Sequence, residues 1–355
     1  MSSFTLGNHL LFAITLFFVS ATITFLLVKQ IKIFDIPNER SSHSKPTPTI
    51  GGVAIVFTFF LSMIILYFFA NTRMVTERYF IGFTFSSLLI SAISFYDDFK
   101  CKPFYMKLIT QIIAITVVIS FGIIIDKIDF PFDLFYLNYK SLGSASYLIT
   151  FCWILGMTNA YNFMDGLNGM AGGNAVIAAI FFCIIALDQG SNFTYMVSYT
   201  IAASVAGFLI FNFPKGKIFM GDVGSTFLGF AFATLSIIAS LYDNAHTSLL
   251  IIPLLFFHFI YDTFFTFIRR LLNRDNVFQA HRTHLYQLFN RLGYTHFAVT
   301  SFYCIVAIFQ GFGALWLIKI DGIQRLIVFI PYLTFQITYS VVIIYYARRQ
   351  GLLKE

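Results

Sequence analysis

Apolar runs of about 20 residues recur along the whole chain, and short segments rich in polar residues, Gly and Pro separate them. A run of that length can cross the hydrocarbon core of a bilayer as a helix. Eleven spans fit this pattern, near residues 8–28, 50–70, 79–96, 107–125, 146–161, 170–187, 195–213, 223–242, 247–267, 298–318 and 327–347. The pattern predicts an all-α, polytopic integral membrane protein with about 11 transmembrane helices, which folds as one domain over residues 1–355.

The composition agrees with a membrane protein and argues against an ordinary soluble one. Of the 355 residues, 58% are hydrophobic and 11% are charged, whereas soluble domains carry roughly 25% charged residues. The four Cys are scattered singly, without the spacing of a zinc site or a disulfide framework.

The distribution of Lys and Arg predicts the orientation of the chain. With eleven spans, the segments on one side hold 17 of the 23 Lys and Arg residues, and those on the other side hold 6. The richer side is cytoplasmic, which places the N-terminus outside and the C-terminus in the cytoplasm. The net charge of +7 follows from this bias, and no basic-aromatic surface indicates nucleic-acid binding.

The first predicted cytoplasmic loop, FDIPNERSSHSKPTPTIGG, combines Pro and Gly with Arg40, His43 and Lys45. Cations beside Ser and Thr donors suit a phosphate-bearing ligand. The same composition fits a basic segment beside anionic lipid, and the residues alone leave both interpretations open.

Paired carboxylates follow the third span, in SFYDDFKCKPF. Asp97 and Asp98 repel each other unless a cation lies nearby. The pair indicates either a metal or general-base site or a solvated helix cap.

The segment NAYNFMDGLNGMAGG places polar residues between the fifth and sixth spans. Asn159, Asn162 and Asp165 recur every three residues, so one helical face could carry all three. Polar groups and Gly at membrane depth are tolerated where they line a cavity, and intramembrane carboxylates are usually functional. The alternative is polar contact between packed helices.

A second such segment, NFPKGKIFMGDVGSTFLGF, places Asp222 at the start of the eighth span, just after Lys215 and Lys217. The free N–H groups of a helix N-terminus favour an anion or a phosphate. The alternative for Asp222 is a simple N-cap.

The largest predicted cytoplasmic loop, residues 268–297, contains His281, Arg282 and His284. A zinc site would need more N or S ligands, so these basic groups are expected to contact phosphate. Asp262, inside the ninth span, is either a structural ion-pair partner or part of the site.

Together these motifs predict a cytoplasm-facing cleft. Its carboxylates and Asn side chains would hold Mg²⁺, or Mn²⁺ in its place, and its cations would hold phosphates. Such a cleft suits phosphoryl transfer, in which positioning and charge neutralisation dominate, and the membrane setting indicates a lipid substrate. The main alternative is a secondary transporter, whose site would lie near the midplane of symmetric repeats. Here the charges fall at helix ends and no repeat is visible.

The motifs resemble those of the polyprenyl-phosphate N-acetylhexosamine-1-phosphate transferases. The resemblance covers nearly the whole chain and is carried, in order, by DIPNERSSHSKPTPTIGG, YDDF, NAYNFMDGLNG, FMGDVGSTFLG, PLLFFHFIYDTFFTFIRR and HRTHLYQ. It implies transfer of a sugar-1-phosphate from a UDP-sugar to undecaprenyl phosphate, with release of UMP, at the cytoplasmic face of a bacterial plasma membrane.

The resemblance also implies roles for single residues. Asp97 and Asp98 match the family's acidic pair, one member of which deprotonates the lipid phosphate or, in an older view, acts as a nucleophile. Asn162 and Asp222 match positions that hold Mg²⁺ on the diphosphate. The expected catalytic residues are Asp97, Asp98, Asp222 and His281, and the expected substrate-binding residues are Lys45, Asn159, Asp165, Asn168, Lys215, Arg282 and His284.

Three departures from the family pattern bear on the substrate. Asn168 stands where the family often has Asp in DGLDG, so it keeps an acceptor and loses the charge. Cys101 breaks the DDxxK spacing of the peptidoglycan branch, and HRTH replaces a triple His. These departures favour an enzyme that initiates O-antigen or capsule synthesis, some of which use 6-deoxy-HexNAc donors.

Overall fold

The computed structural model describes residues 6–30, 34–37, 46–69, 75–100, 104–127, 142–277, 279 and 281–353. Within these ranges the helices are α1 Leu6–Gln30, α2 Gly52–Phe69, α3 Glu77–Lys100, α4 Phe104–Ser120, α5 Ala145–Phe163, α6 Met170–Gln189, α7 Asn192–Asn212, α8 Gly221–Leu241, α9 Ile251–Leu255, α10 Phe257–Leu272, α11 Leu285–Arg291, α12 His296–Leu317, α13 Gln324–Ile327 and α14 Phe329–Arg349. Two short strands, β1 Phe34–Asp35 and β2 Thr47–Pro48, pair antiparallel. Lys45, with Arg40 and His43, lies outside the described residues.

Each of the eleven predicted spans coincides with a helix or a pair of helices. Eight of the described helical segments are both long and apolar enough to cross a membrane: α1, α2, α3, α6, α7, α8, α12, and α13 with α14. α4 is apolar but shorter. The all-α membrane fold is therefore confirmed, while the count of eleven crossings and the sides of the termini stay predictions.

The ninth predicted span, 247–267, is not one helix. Its backbone leaves helical geometry at Phe256, with φ −110° and ψ 22°, between α9 and α10. Phe256 is fully buried, and irregular backbone at membrane depth is tolerated where protein surrounds it. α10 then runs past the predicted end of the span and carries Asp262 and Arg270 on the same helix.

α8 lies at the centre of the bundle, where α2, α3 and α5 pack around it. Every residue from Val223 to Ala239 is buried. At Gly229 a Cβ would lie 2.8 Å from the Cβ of Tyr161 and 2.9 Å from the Cα of Thr158, both on α5. The missing side chain therefore lets the polar end of α5 approach α8 closely.

The first turns of α2 and α8 also meet backbone to backbone. The N–H of Gly51 donates to the carbonyl O of Phe219 at 2.8 Å, and that of Gly52 donates to Met220 at 2.7 Å. A Cβ on Gly52 would collide with the backbone N of Gly224. The Gly pair that ends the first loop thus anchors that loop beside the start of α8.

The outer helices expose large apolar side chains. Leu10 and Phe18 on α1 and Ile330 and Val341 on α14 are all more than half exposed. Contiguous apolar surface of this kind marks contact with lipid or with another apolar partner.

Candidate active site

The carboxylate of Asp98, near the end of α3, holds the first turn of α8. Its Oδ1 accepts the backbone N–H of Asp222 at 3.1 Å, and its Oδ2 accepts that of Val223 at 3.1 Å. It thereby satisfies two N–H groups that a helix N-terminus leaves unpaired. Gly221 has a φ of +73°, and a Cβ there would collide with the carbonyl O of Thr49. Only glycine fits this contact without strain.

The carboxylate of Asp222 is shared between two helices. Its Oδ1 accepts a hydrogen bond from Nδ2 of Asn162 on α5 at 2.9 Å, and Nδ2 of Asn162 also reaches Oγ of Ser225 at 2.8 Å. Its Oδ2 is paired with the ammonium of Lys107 on α4. The same ammonium lies 3.3 Å from Oδ2 of Asp97. One cation therefore bridges two carboxylates from different helices.

These groups line a cavity of about 170 Å³ between α3, α4, α5 and α8. Its far wall holds a reciprocal amide pair. Nδ2 of Asn159 donates to Gln111 at 2.8 Å, and Nε2 of Gln111 donates back at 3.3 Å. The cavity is therefore small, and it is lined by two carboxylates, three side-chain amides and the ammonium of Lys107.

A second cavity of about 710 Å³ lies against the first. Both are lined by Lys107 and Phe163. Apolar residues of α5 and α10 form much of its wall, namely Cys152, Trp153, Gly156, Met157, Ala160, Ile260, Phe264 and Phe267. Its polar end is formed by Asp165, Gly166, Arg270, Gln279, His281, His284 and Gln287. The cavity thus joins an apolar groove to a polar pocket.

Asp165 occupies the turn between α5 and α6, at the polar end of the second cavity. Desolvation raises its pKa to about 7, and the negative charges of Asp222 and Asp98 act in the same direction. A carboxyl with a pKa near neutrality can be present in either protonation state in the cell.

Asp262 on α10 holds the end of the HRTH segment, residues 281–284, and the first turn of α11. It is 1% exposed, and its carboxylate accepts the backbone N–H groups of Leu285 at 2.9 Å and Tyr286 at 3.1 Å. Nδ1 of His284 lies 3.2 Å from Asp262 Oδ1. Tyr286 in turn donates its hydroxyl to the carbonyl O of Phe163 at 2.9 Å. This chain of contacts ties α10 and α11 to the end of α5.

His281 is held differently from His284, although their ring centroids are 4.9 Å apart. Nδ1 of His281 faces the N–H of Thr283 at 3.4 Å and its hydroxyl at 3.1 Å. The pKa of His281 is lowered to about 3, chiefly by desolvation, and the neighbouring His284, Arg270 and Arg269 act in the same direction. His281 is therefore a neutral imidazole at physiological pH.

Known proteins are similar to this chain over most of its length. The model of a family described as glycosyl transferase family 4 matches residues 80–240. A probable undecaprenyl-phosphate N-acetylglucosaminyl 1-phosphate transferase of Bacillus subtilis is 32% identical over 290 residues, which cover 80% of this chain and 78% of that protein. The chain belongs to the polyprenyl-phosphate N-acetylhexosamine-1-phosphate transferases of this family.

Other relatives of this transferase come from more than one branch. An undecaprenyl-phosphate alpha-N-acetylglucosaminyl 1-phosphate transferase of Thermotoga maritima is 28% identical, over 79% of this chain and 80% of that protein. A phospho-N-acetylmuramoyl-pentapeptide-transferase of Staphylococcus saprophyticus is also 28% identical, over 84% of this chain and 97% of that protein.

The fold of this transferase brings most of the predicted site residues together. Asp97, Asn159, Asn162 and Asp222 line the first cavity, and Asp165, His281 and His284 line the second. Asp98 reaches the first cavity through the backbone of Asp222. Arg282 is partly exposed and its carbonyl O accepts from Arg291 at 3.1 Å.

Two predicted residues of the transferase lie elsewhere. Asn168 lines neither cavity; its Nδ2 donates to the carbonyl O of Pro214 at 3.1 Å, and its carbonyl O accepts from Thr300 at 2.8 Å. Lys215 is exposed in the turn before α8 and also lines neither cavity. The expectation that Asp165 shares a helical face with Asn159 and Asn162 is wrong, because α5 ends at Phe163.

The expected site residues left out some whose partners are distant in the chain. Lys107 and Gln111 line the first cavity of the transferase from one face of α4. Their spacing of four residues at the start of an apolar run is a detectable signal. Tyr286 carries no such signal, because its role depends on contact with Phe163, which is 123 residues away.

The first cavity offers two carboxylates, the kind of ligand that binds Mg²⁺ in proteins. Among the described residues, no group of three or more His, Cys, Asp or Glu side chains could hold a metal ion. Mg²⁺ is usually bound through one or two carboxylates, with water and substrate phosphates as the other ligands. Asp97 and Asp222 share the cation of Lys107, so the pair fits a cation that phosphate oxygens help to coordinate.

Proposed function

We propose that this transferase moves a sugar-1-phosphate from a UDP-sugar to undecaprenyl phosphate at the cytoplasmic face of a bacterial plasma membrane and releases UMP. The sugar is a HexNAc or a 6-deoxy-HexNAc, and the product starts a cell-surface polysaccharide such as O-antigen or capsule. The observation that carries the proposal is the junction of the two cavities at Lys107 and Phe163. A polar pocket and an apolar groove meet there, as a reaction between a nucleotide sugar and a lipid phosphate requires.

The groove between α5 and α10 suits the polyprenyl chain of the acceptor. Gly156 lines it, and a Cβ at Gly156 would have no neighbour within 4 Å. Phe264 is 66% exposed and Phe267 is 47% exposed, so the groove opens sideways to the apolar surroundings of the bundle. An isoprenoid chain can enter from the bilayer while its phosphate reaches Lys107.

The first cavity suits the diphosphate of the donor. Asp222 and Asn162 would hold Mg²⁺ there, with Asp97 as a second carboxylate. When bound, Mg²⁺ would screen the charge of the diphosphate and stabilise the departing UMP. Lys107 contributes a protein cation at the point where the two anionic substrates meet.

The reaction itself needs little covalent chemistry from the protein. A phosphate oxygen of the lipid bonds to the β-phosphorus of the UDP-sugar, and the bond from that phosphorus to the bridging oxygen breaks. The bridging oxygen and its electron pair leave with UMP. Because both reactants are anionic, holding them together beside cations supplies much of the acceleration.

The polar end of the second cavity supports recognition near the phosphates. Arg270 and the neutral His281 lie there with His284. Asp165, which titrates near neutrality, faces the same space and is assigned to the nucleotide side.

The test is UMP release by purified protein in detergent with undecaprenyl phosphate and Mg²⁺. UDP-GlcNAc, UDP-GalNAc, UDP-QuiNAc and UDP-FucNAc are supplied one at a time. The expected result is UMP from one donor, dependent on both the lipid and the metal, which also names the sugar. No UMP with any donor, from protein that elutes as a single folded species, would contradict the proposed reaction for these sugars.

A further inference from the structure

The buried carboxylate of Asp262 has a role that neither cavity explains, because it lines neither of them. It lies on α10 in contact with His284 of the HRTH segment, residues 281–284, and is 1% exposed. A buried carboxylate is costly unless every oxygen is paired. The identity of its partners therefore indicates what it does.

Every described partner of Asp262 is a donor. Oδ1 accepts from the hydroxyl of Thr266 at 3.1 Å and the N–H of Leu285 at 2.9 Å, and Oδ2 accepts from the N–H of Tyr286 at 3.1 Å. The hydroxyl of Tyr303 lies 3.4 Å from Oδ2. A carboxylate ringed by donors acts as an acceptor only.

This arrangement fixes the proton of His284. Its Nδ1 lies 3.2 Å from Oδ1 of Asp262, so Nδ1 must carry a proton and donate it to the carboxylate. In a neutral imidazole the other nitrogen then has a free lone pair. Among the described residues no partner is recorded for Nε2, and His284 lines the second cavity.

His281 has the opposite tautomer. Its Nδ1 receives the backbone N–H of Thr283 at 3.4 Å, so Nδ1 is the acceptor and Nε2 carries the proton of the neutral ring. The two neighbouring imidazoles of the HRTH segment therefore differ in the nitrogen that is protonated. His281 acts as a donor from Nε2, and His284 acts as an acceptor at Nε2.

We propose that Asp262 is a positioning residue, which holds the proton of His284 on Nδ1 and so presents Nε2 to the cavity as a hydrogen-bond acceptor for a substrate O–H. The O–H belongs either to the protonated phosphate of the acceptor lipid or to the sugar of the donor. The inference rests on the proposed function for its substrates, whereas the tautomer itself does not depend on turnover.

The direct test is ¹⁵N NMR of the full-length protein labelled at histidine. The ¹⁵N signals missing from the spectrum of His284→Asn identify those of His284, and the shifts show which nitrogen is protonated. The wild type is expected to show a protonated Nδ1 and an unprotonated Nε2. Asp262→Asn should move the proton or mix the tautomers, because its amide can donate to Nδ1 instead. Unchanged His284 signals in Asp262→Asn would overturn the proposal.

Tyr303→Phe is the matched control. It removes another hydrogen bond to the same carboxylate but leaves Asp262 and His284 in place. The His284 signals should keep their wild-type pattern. A tautomer change in Tyr303→Phe as large as that in Asp262→Asn would mean that general disturbance of the site moves the proton, which contradicts the specific role of Asp262.

Titration separates the two sources of the O–H. Undecaprenyl phosphate and UDP-GlcNAc are added separately, and the Nε2 signal of His284 is followed. A shift with the lipid alone assigns the phosphate, and a shift with the nucleotide sugar alone assigns the sugar. No shift with either, with both ligands shown to bind, would overturn the acceptor role.

Kinetics give an independent measure. Asp262→Asn should lower kcat by about 10- to 100-fold, the range typical when a carboxylate that orients a metal-ligating imidazole is lost. His284→Gln keeps a polar group near the Nε2 position and should retain more activity than His284→Asn, which keeps only the Nδ1 donor. Equal activity of these two variants would contradict the role of Nε2. If the wild type releases no UMP with any donor, the proposed function fails while the NMR result still stands.

Discussion

The carboxylate of Asp98 accepts the backbone N–H of Asp222 at 3.1 Å, although 124 residues separate the two in the chain. The contact joins the end of α3 to the first turn of α8, and Asp222 therefore reaches the cavity only where Asp98 places it. The two carboxylates thus have different roles. Asp98 holds the first turn of α8, and Asp222 presents its charge to the cavity.

Replacement of Asp98 should cost both stability and activity. Asp98→Ala removes both acceptors from the first turn of α8, and loss of such a cap costs about 0.5–2 kcal/mol. We expect a lower melting temperature in detergent and at least a tenfold loss of turnover, because Asp222 moves with the helix start. Asp98→Asn keeps one acceptor oxygen and should lose less stability. Melting curves in which Asp98→Ala matches the wild type would contradict the anchoring role.

Replacement of Asp222 should cost activity with little change in melting temperature. Asp222→Asn keeps the shape of the side chain but removes the charge that faces Lys107 and Asn162. Loss of one preorganised charge at a reacting phosphate typically costs about 100-fold or more in turnover. Asp321→Asn is the control, because Asp321 is highly exposed and pairs with Arg325, four residues along the chain. Wild-type turnover in Asp222→Asn would remove Asp222 from the site.

Filling the apolar groove should weaken binding of the acceptor lipid and leave binding of the donor unchanged. Gly156→Leu adds a side chain to a wall of the groove where a Cβ meets no atom, so the helix should tolerate it. We expect the KM for undecaprenyl phosphate to rise severalfold and the KM for the UDP-sugar to stay near the wild-type value. Ala92→Leu, on the exposed face of α3, is the control for added bulk. A rise in the donor KM alone would place the lipid elsewhere.

Titration of the Asp165 carboxyl should lower the free energy of unfolding as the pH rises. Its pKa is about 7 in the folded protein and 3.8 for an ordinary Asp, so between these values the folded state binds more protons than the unfolded state. Unfolding then becomes easier as the pH rises from about 4 to about 7, and the loss persists above pH 7. Asp165→Asn removes this loss.

The check is the melting temperature of both proteins at pH 5 and pH 8, in detergent without added metal. The melting temperature of Asp165→Asn minus that of the wild type should be larger at pH 8 than at pH 5. Parallel behaviour at the two values would mean that Asp165 titrates as an ordinary surface carboxyl.

The periodicity of the chain predicts where the helices lie, because helix length and apolar content are local properties. It predicts less well where a helix breaks. The interruption at Phe256 lies inside a continuous apolar run, and its backbone is tolerated only because surrounding helices bury it. Likewise the end of α5 at Phe163, rather than beyond Asp165, separates residues whose spacing suggests one face.

The motifs of the candidate site could be predicted from the sequence, whereas the arrangement of their side chains could not. Asp97, Asn162 and Asp222 stand out because charged and amide groups are rare in apolar segments. The ammonium of Lys107 bridges two of these carboxylates. This arrangement depends on packing among α3, α4 and α8. The function of Asp262 was left open by the sequence for the same reason, since its partners outside α10 lie 22 to 41 residues away.

The central claim is that the β-phosphate travels with the sugar, and one labelling experiment tests it directly. A UDP-sugar labelled with ³²P at the β-position is incubated with the protein, undecaprenyl phosphate and Mg²⁺, and the lipid is then extracted. Transfer of a sugar-1-phosphate predicts that the label moves into the lipid fraction in proportion to the UMP released. Label that stays in the aqueous phase as UDP, while sugar appears on the lipid, would show transfer of the sugar alone and would contradict the account.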